Sequence, residues 1–146
     1  MKLLDSSAIS YILERNISPK SEYFITPDIA QEMEVAELVY NRGVSKNIKN
    51  ITVQSGFDEA VYLNNYYSVL NKYSKRSFFN MSGFGDVSLV ALTITLLQHE
   101  AQNTRLPLPG FDNDILVYTN DDHLKSKIIS ETKNMVKVSN NFYEIQ

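Results

Sequence analysis

The sequence predicts an α/β domain in three layers: a central parallel β-sheet with helices on both faces. Two observations predict it. Short apolar runs alternate along the chain with longer stretches of helical character. The run ILVYT (115–119) reads as a fully apolar strand, as expected of a strand covered by helices on both faces. The length, 146 residues, sets the scale at a single domain, 1–146, with one core.

The elements follow in order. KLLD (2–5) reads as a short buried strand, with a helix near 6–15 behind it. YFIT (23–26) is the second strand. Thr26 and Pro27 then form a helix start, a hydroxyl at the N-cap and a proline at the first helical position. This helix is expected to run to about Arg42, with Gly43 as its C-terminal cap. NITVQ (50–54) is the third strand, and residues 57–76 are a long helical stretch of mixed polarity. In 86–103, Val87, Val90, Ala91, Ile94, Leu97 and Ala101 share one helical face. Leu89, Leu92 and Leu96 broaden that face, so this helix is expected to be largely buried. A loop, RLPLPGFDND, precedes ILVYT; a short helix over 122–132 and the strand MVKVS (135–139) complete the chain. There is no internal repeat, low-complexity tract or linker.

Composition narrows the classes. The 43% apolar and 21% charged content are those of an ordinary globular protein. The absence of cysteine excludes disulfides and thiolate metal sites and fits a reducing compartment. No apolar run approaches the roughly 20 residues of a membrane span. The single Lys and short apolar patch at the N-terminus are too short for a signal peptide, so a cytoplasmic protein is expected. A net charge of −3 does not announce a nucleic-acid binder. It does not exclude one, because acids that hold a divalent cation carry their own compensation.

In open parallel sheets the ligand site lies beyond the carboxyl ends of the strands. The acids at those ends are therefore the candidates. Asp5 ends the first strand, Asp121 and Asp122 follow ILVYT, and Glu32 lies in the helix after YFIT. Asp86 opens the buried helix, directly after Gly83-Phe84-Gly85. On its helix, Glu32 lies about 70° from the stripe formed by Ile29, Met33, Ala36 and Tyr40, so it flanks the core. Glu37 flanks the stripe further from the strand ends, and Glu34 points away. Carboxylates converging without His or Cys form a hard oxygen site, suited to Mg²⁺ or Mn²⁺. Each acid also has a plain local reading. Asp5, Asp86 and Asp122 are credible turn or cap residues, and Glu32 a solvated helix residue. A cap can also hold a metal.

Other motifs carry less. Asp112-Asn113-Asp114 precedes a strand, at the wrong sheet edge, and reads as turn chemistry. His99 and His123 are too isolated for a zinc pair. Gly83-Phe84-Gly85 is followed by an acid and no Lys, so it is not a phosphate loop. Ser6 and Ser7 have no His partner for nucleophilic catalysis; Ser7 is left to hold a metal-bound water or to bond backbone. Lys72, Lys75 and Arg76 lie in a stretch that mixes cations with aromatics. It suits phosphate and base contacts, but reads first as a solvated helix end.

Four stretches together resemble the PIN-domain nucleases: LLDSSAI (3–9), ITPDIAQEME (25–34), GDVSLVALTI (85–94) and LVYTNDDHL (116–124). The matching features are a strand ending in Asp5 before Ser6 and Ser7, and Glu32 after a proline-containing helix start. Asp86 before an apolar helix and the T-x-D of Thr119-Asn120-Asp121 complete them. The resemblance implies a strand order 3-2-1-4-5, with the first strand central and the four acids gathered around Asp5. It implies that Asp5, Glu32, Asp86 and Asp121 are both the catalytic residues and the ligands of Mg²⁺ or Mn²⁺. Asp122, Ser7 and Thr119 are secondary candidates, with Asp122 given the helix-cap role. Lys72, Lys75 and Arg76 are candidates for substrate binding.

The expected function is that of a metal-dependent endoribonuclease, in which water activated at the metal attacks a phosphodiester. The small size resembles the VapC-type toxin ribonucleases of toxin–antitoxin pairs. That resemblance implies an RNA substrate, an antitoxin protein and a homodimer. The alternative is a non-catalytic PIN-like module that binds RNA or a protein. A dehalogenase-type phosphatase is disfavoured because its second Asp falls on Ser7. A receiver domain is disfavoured because the MKLLD opening lacks an acidic pair.

Overall fold

A computed structural model describes residues 1–34, 47–51, 58–74, 84–103 and 115–145. Five strands form its sheet: β1 (Lys2–Leu4), β2 (Tyr23–Ile25), β3 (Ile48–Asn50), β4 (Leu116–Tyr118) and β5 (Lys137–Ser139). All neighbours are parallel and the order is β3-β2-β1-β4-β5, as the resemblance implied. The central strand β1 pairs Leu3 with Phe24 on one side and Leu3 with Val117 on the other.

The helices are α1 (Ser6–Glu14), α2 (Pro27–Glu34), α3 (Glu59–Ser74), α4 (Phe84–Asn103) and α5 (Asp122–Thr132). Parallel strands need crossovers, and right-handed crossovers decide the layers. The steps β1→β2→β3 move one way across the sheet, and β3→β4→β5 move the other. The helices of the two series therefore cover opposite faces, and α4 packs against both α3 and α5. The core between the layers includes Leu3, Leu4, Ile9, Ile12, Leu89, Leu92 and Val117, none with measurable exposure.

Local chemistry sets the boundaries. Thr26 accepts the Ile29 amide at 3.2 Å, so α2 begins at Pro27 as the hydroxyl–proline pair predicts. The expected end of this helix, at Arg42 and Gly43, lies outside the described residues. The third strand falls earlier than NITVQ, at Ile48–Asn50, because β2 spans only three residues and its register pairs Tyr23 with Ile48 and Ile25 with Asn50. Ile51 still donates to Ile25 and is buried, while 52–54 lie outside the described residues.

Helix α4 starts at Phe84, two residues before the expected start at Asp86. Asp86 therefore lies in the first turn and is not the N-cap. In the first half of α4, Leu89 and Leu92 are buried together with Val87, Val90 and Ala91, while Ile94 and Leu97 are only half-buried. Three helices, α2, α3 and α5, pack on α4. Among the described residues no helix is long and apolar enough to cross a membrane.

Candidate functional site

Asp5 is the first residue past the central strand. Its amide donates to the Tyr118 carbonyl at 3.0 Å, which continues the β1–β4 ladder, and its extended backbone caps α1. The residue is 4% exposed. Oδ1 accepts the Ser6 amide at 2.8 Å and the Ser6 hydroxyl at 3.4 Å. Oδ2 accepts the Ser7 hydroxyl at 3.1 Å and the Thr119 hydroxyl at 2.7 Å. None of the ion pairs among the described residues involves Asp5. Among the described residues it is a buried carboxylate held by neutral donors alone.

Thr119 occupies the matching place after β4 and is 2% exposed. Its hydroxyl gives its proton to Asp5 and accepts the Asp121 amide at 3.1 Å. Ser7 accepts the Asn120 amide at 3.3 Å. Both secondary candidates thus tie the Asp5 turn to the chain leading to Asp121.

Asp121 is half-buried and has an extended backbone, φ −85° and ψ 108°. Its Oδ1 accepts the amides of His123 at 2.9 Å and Leu124 at 3.2 Å. Asp121 is therefore the N-cap of α5. The cap role expected of Asp122 is corrected: Asp122 is the first helical residue and is exposed, so it has turned past the position from which a side chain can reach back to those amides.

On the other side of β1 a second pair forms. Glu32 is exposed along its length, but its Oε1 accepts the Gly85 amide at 3.0 Å. Asp86, the next residue, is 5% exposed. Beneath them, Ser88 donates to the Gly85 carbonyl at 2.6 Å, and the Thr26 and Ser88 hydroxyls are 2.6 Å apart. The Ser88 proton goes to the carbonyl, so Thr26 donates to Ser88 while it accepts from Ile29. This clamp fastens the start of α4 to the start of α2. Nearby, Tyr66 donates to Asp28 at 2.8 Å. Burial, followed by that hydrogen bond, pushes the Tyr66 phenol well above its ordinary range. Burial and the Asp28 charge do the same to Tyr62.

The predicted acids are thus linked in two sets: Asp5 and the Asp121 backbone through Thr119, and Glu32 with the backbone beside Asp86. Among the described residues no group of three or more acids or histidines stands close enough to hold a metal ion. The donor chemistry nevertheless fits Mg²⁺ or Mn²⁺. The oxygens are hard, Asp5 is buried without an ion-pair partner among the described residues, and Gly85 leaves open the space into which Glu32 reaches.

The basic candidates lie elsewhere. Lys72 pairs with Glu131 in the last turn of α5, about 15 Å down that helix from the Asp121 cap at 1.5 Å per residue. It is not at the carboxyl edge. Lys75, Arg76 and Asp112–Asp114 lie outside the described residues. His99 is half-buried far along α4, and His123 is exposed.

Gly85, Thr26 and Ser88 were not anticipated as site residues. A glycine immediately before an acid, inside a helix, was the available signal.

The sheet order and the acid-bearing carboxyl edge define the class: a three-layer, all-parallel α/β domain. No family model, curated protein or solved structure matches the chain.

Proposed function

We propose that the chain is a Mg²⁺- or Mn²⁺-dependent endoribonuclease that hydrolyses phosphodiester bonds. One observation carries this reading. Asp5, buried at the end of the central strand, has no cationic partner among the described residues, and further acids stand on both sides of it. A buried charge needs compensation, and a divalent cation supplies it. Asp5, Glu32, Asp86 and Asp121 would hold the cation. When bound, it would supply charge stabilisation at the phosphate and activation of water.

The chain's own part is orientation. Thr119 and Ser7 fix the direction of the Asp5 carboxylate by donating to Oδ2. The Gly85 amide fixes Glu32, and the hydroxyl clamp fixes the backbone beside Asp86. The reading extends, on the resemblance of the four motifs, to a cytoplasmic toxin of a toxin–antitoxin pair with an antitoxin partner and a homodimeric state.

The test is cleavage of labelled total RNA and of single-stranded DNA with Mn²⁺, with Mg²⁺ and with chelator, beside Asp5→Asn. Metal-dependent RNA cutting that is lost in the variant is the expected result. DNA cut in place of RNA would move the substrate class. The second reading is a non-catalytic RNA- or protein-binding module. It is favoured by the Asp121 cap and the four hydrogen bonds on Asp5, since both acids already have structural work. Absence of both cutting and metal binding in the folded protein would select it.

A further inference from the structure

We infer that Gly85 is a positioning residue: it is glycine so that the Glu32 carboxylate can seat against the backbone beside Asp86. The inference rests on the metal-site reading of Glu32. A Cβ on Gly85 would lie 2.7 Å from Glu32 Oε2, 2.8 Å from Oε1 and 3.0 Å from Cδ. The carboxylate occupies the place of a side chain.

The backbone conformation does not call for glycine. Gly85 lies within α4, where glycine is among the least favourable residues. Its amide, in the first turn, donates to Glu32, a residue 53 positions away. The backbone itself is pinned through Ser88 and Thr26, so a methyl group there displaces the carboxylate and not the helix. Glu32 is exposed and free to swing out.

Compensation between the two residues separates this role from a merely structural one. Asp at position 32 is one methylene shorter, so it leaves room for a methyl group on residue 85. Mn²⁺ binding, by calorimetry, and thermal unfolding are measured for wild type, Gly85→Ala, Glu32→Asp and the double variant. Gly85→Ala is expected to keep or raise Tm, because alanine is the better helix former, yet to weaken Mn²⁺ by ~10- to 100-fold. The double variant is expected to bind more tightly than the product of the two single losses.

Unchanged Mn²⁺ affinity in Gly85→Ala overturns the inference and leaves the metal site standing. No Mn²⁺ binding by wild type overturns both. If Gly85→Ala does not fold, hydrogen exchange of the Gly85 amide is compared between wild type and Glu32→Ala. Faster exchange in the variant supports the seating, and equal exchange removes it.

Discussion

The Thr119 hydroxyl donates to Asp5 Oδ2 at 2.7 Å, joining residues 114 positions apart in the chain. The Thr119 hydroxyl oxygen also accepts the Asp121 amide. One buried hydroxyl thus connects the ends of the two central strands. Thr119→Val keeps the shape and removes both bonds. It is expected to cost about 2 kcal/mol, the range for a hydrogen bond to a charged group, while Thr119→Ser costs under about 1 kcal/mol. Urea unfolding of the two variants checks the difference.

Asp121 both caps α5 and stands at the candidate site, and two substitutions separate these roles. Asp121→Ala removes the acceptor for His123 and Leu124 and is expected to destabilise by about 1 kcal/mol. Asp121→Asn keeps a capping oxygen and is expected to retain stability within about 0.5 kcal/mol. A loss of metal-dependent cleavage in the Asn variant then measures the ligand role alone. Full cleavage in that variant assigns Asp121 to the cap.

Asp5→Asn is nearly isosteric, and its side-chain oxygen can still accept the Ser6 amide. The variant is expected to fold, with circular dichroism unchanged. Cleavage is expected to fall by at least ~100-fold, the scale for removing one essential electrostatic contact. A folded variant with wild-type cleavage sinks the nuclease assignment of Asp5.

Glu131 gives the fold an acid limb remote from the site. Burial raises its carboxyl, but hydrogen bonds from Lys72 and Tyr73 outweigh burial and hold it below the ordinary value of 4.5. A carboxylate lowered in the folded state stabilises above the unfolded value, and that contribution is lost as pH falls through the folded value. Glu131→Gln is therefore expected to flatten the acid side of a Tm-against-pH profile and to leave cleavage at neutral pH unchanged.

The alkaline side follows the tyrosines. Tyr118 is pushed up to about 12, first by burial and then by the Glu144 charge. Such a raised group binds its proton more tightly in the folded state, so stability falls as pH rises above the unfolded tyrosine value. Spectrophotometric titration is expected to show Tyr118, Tyr62, Tyr66 and Tyr73 ionising late, together with unfolding.

Much of the fold was legible wherever local chemistry decides. The Thr26–Pro27 helix start needs only one hydroxyl and one proline, and the span 122–132 appears as read. Asp5 stood out because its strand is short and apolar and the acid ends it. The third strand was misplaced because its span comes from β2 by register, which a single strand does not encode. The start of α4 was missed because Gly83-Phe84-Gly85 reads as a break. In the structure the Gly85 amide finds its acceptor on another helix. Between Asp121 and Asp122, residue type is neutral; the extended backbone at Asp121 made it the cap.

By itself the sequence determined the alternation of strands and helices, the Thr26–Pro27 helix start, and an acid at each strand end that matters. These depend on neighbours within a turn or two. Only the tertiary structure decided which strand and helix ends are tied together, because that follows from crossovers and register that bring distant residues together. It placed Thr119 on Asp5 and Gly85 against Glu32, and it carried Lys72 to the far end of α5. Those three placements separate a cluster of acids in the sequence from an oriented set of oxygens at one edge of a sheet.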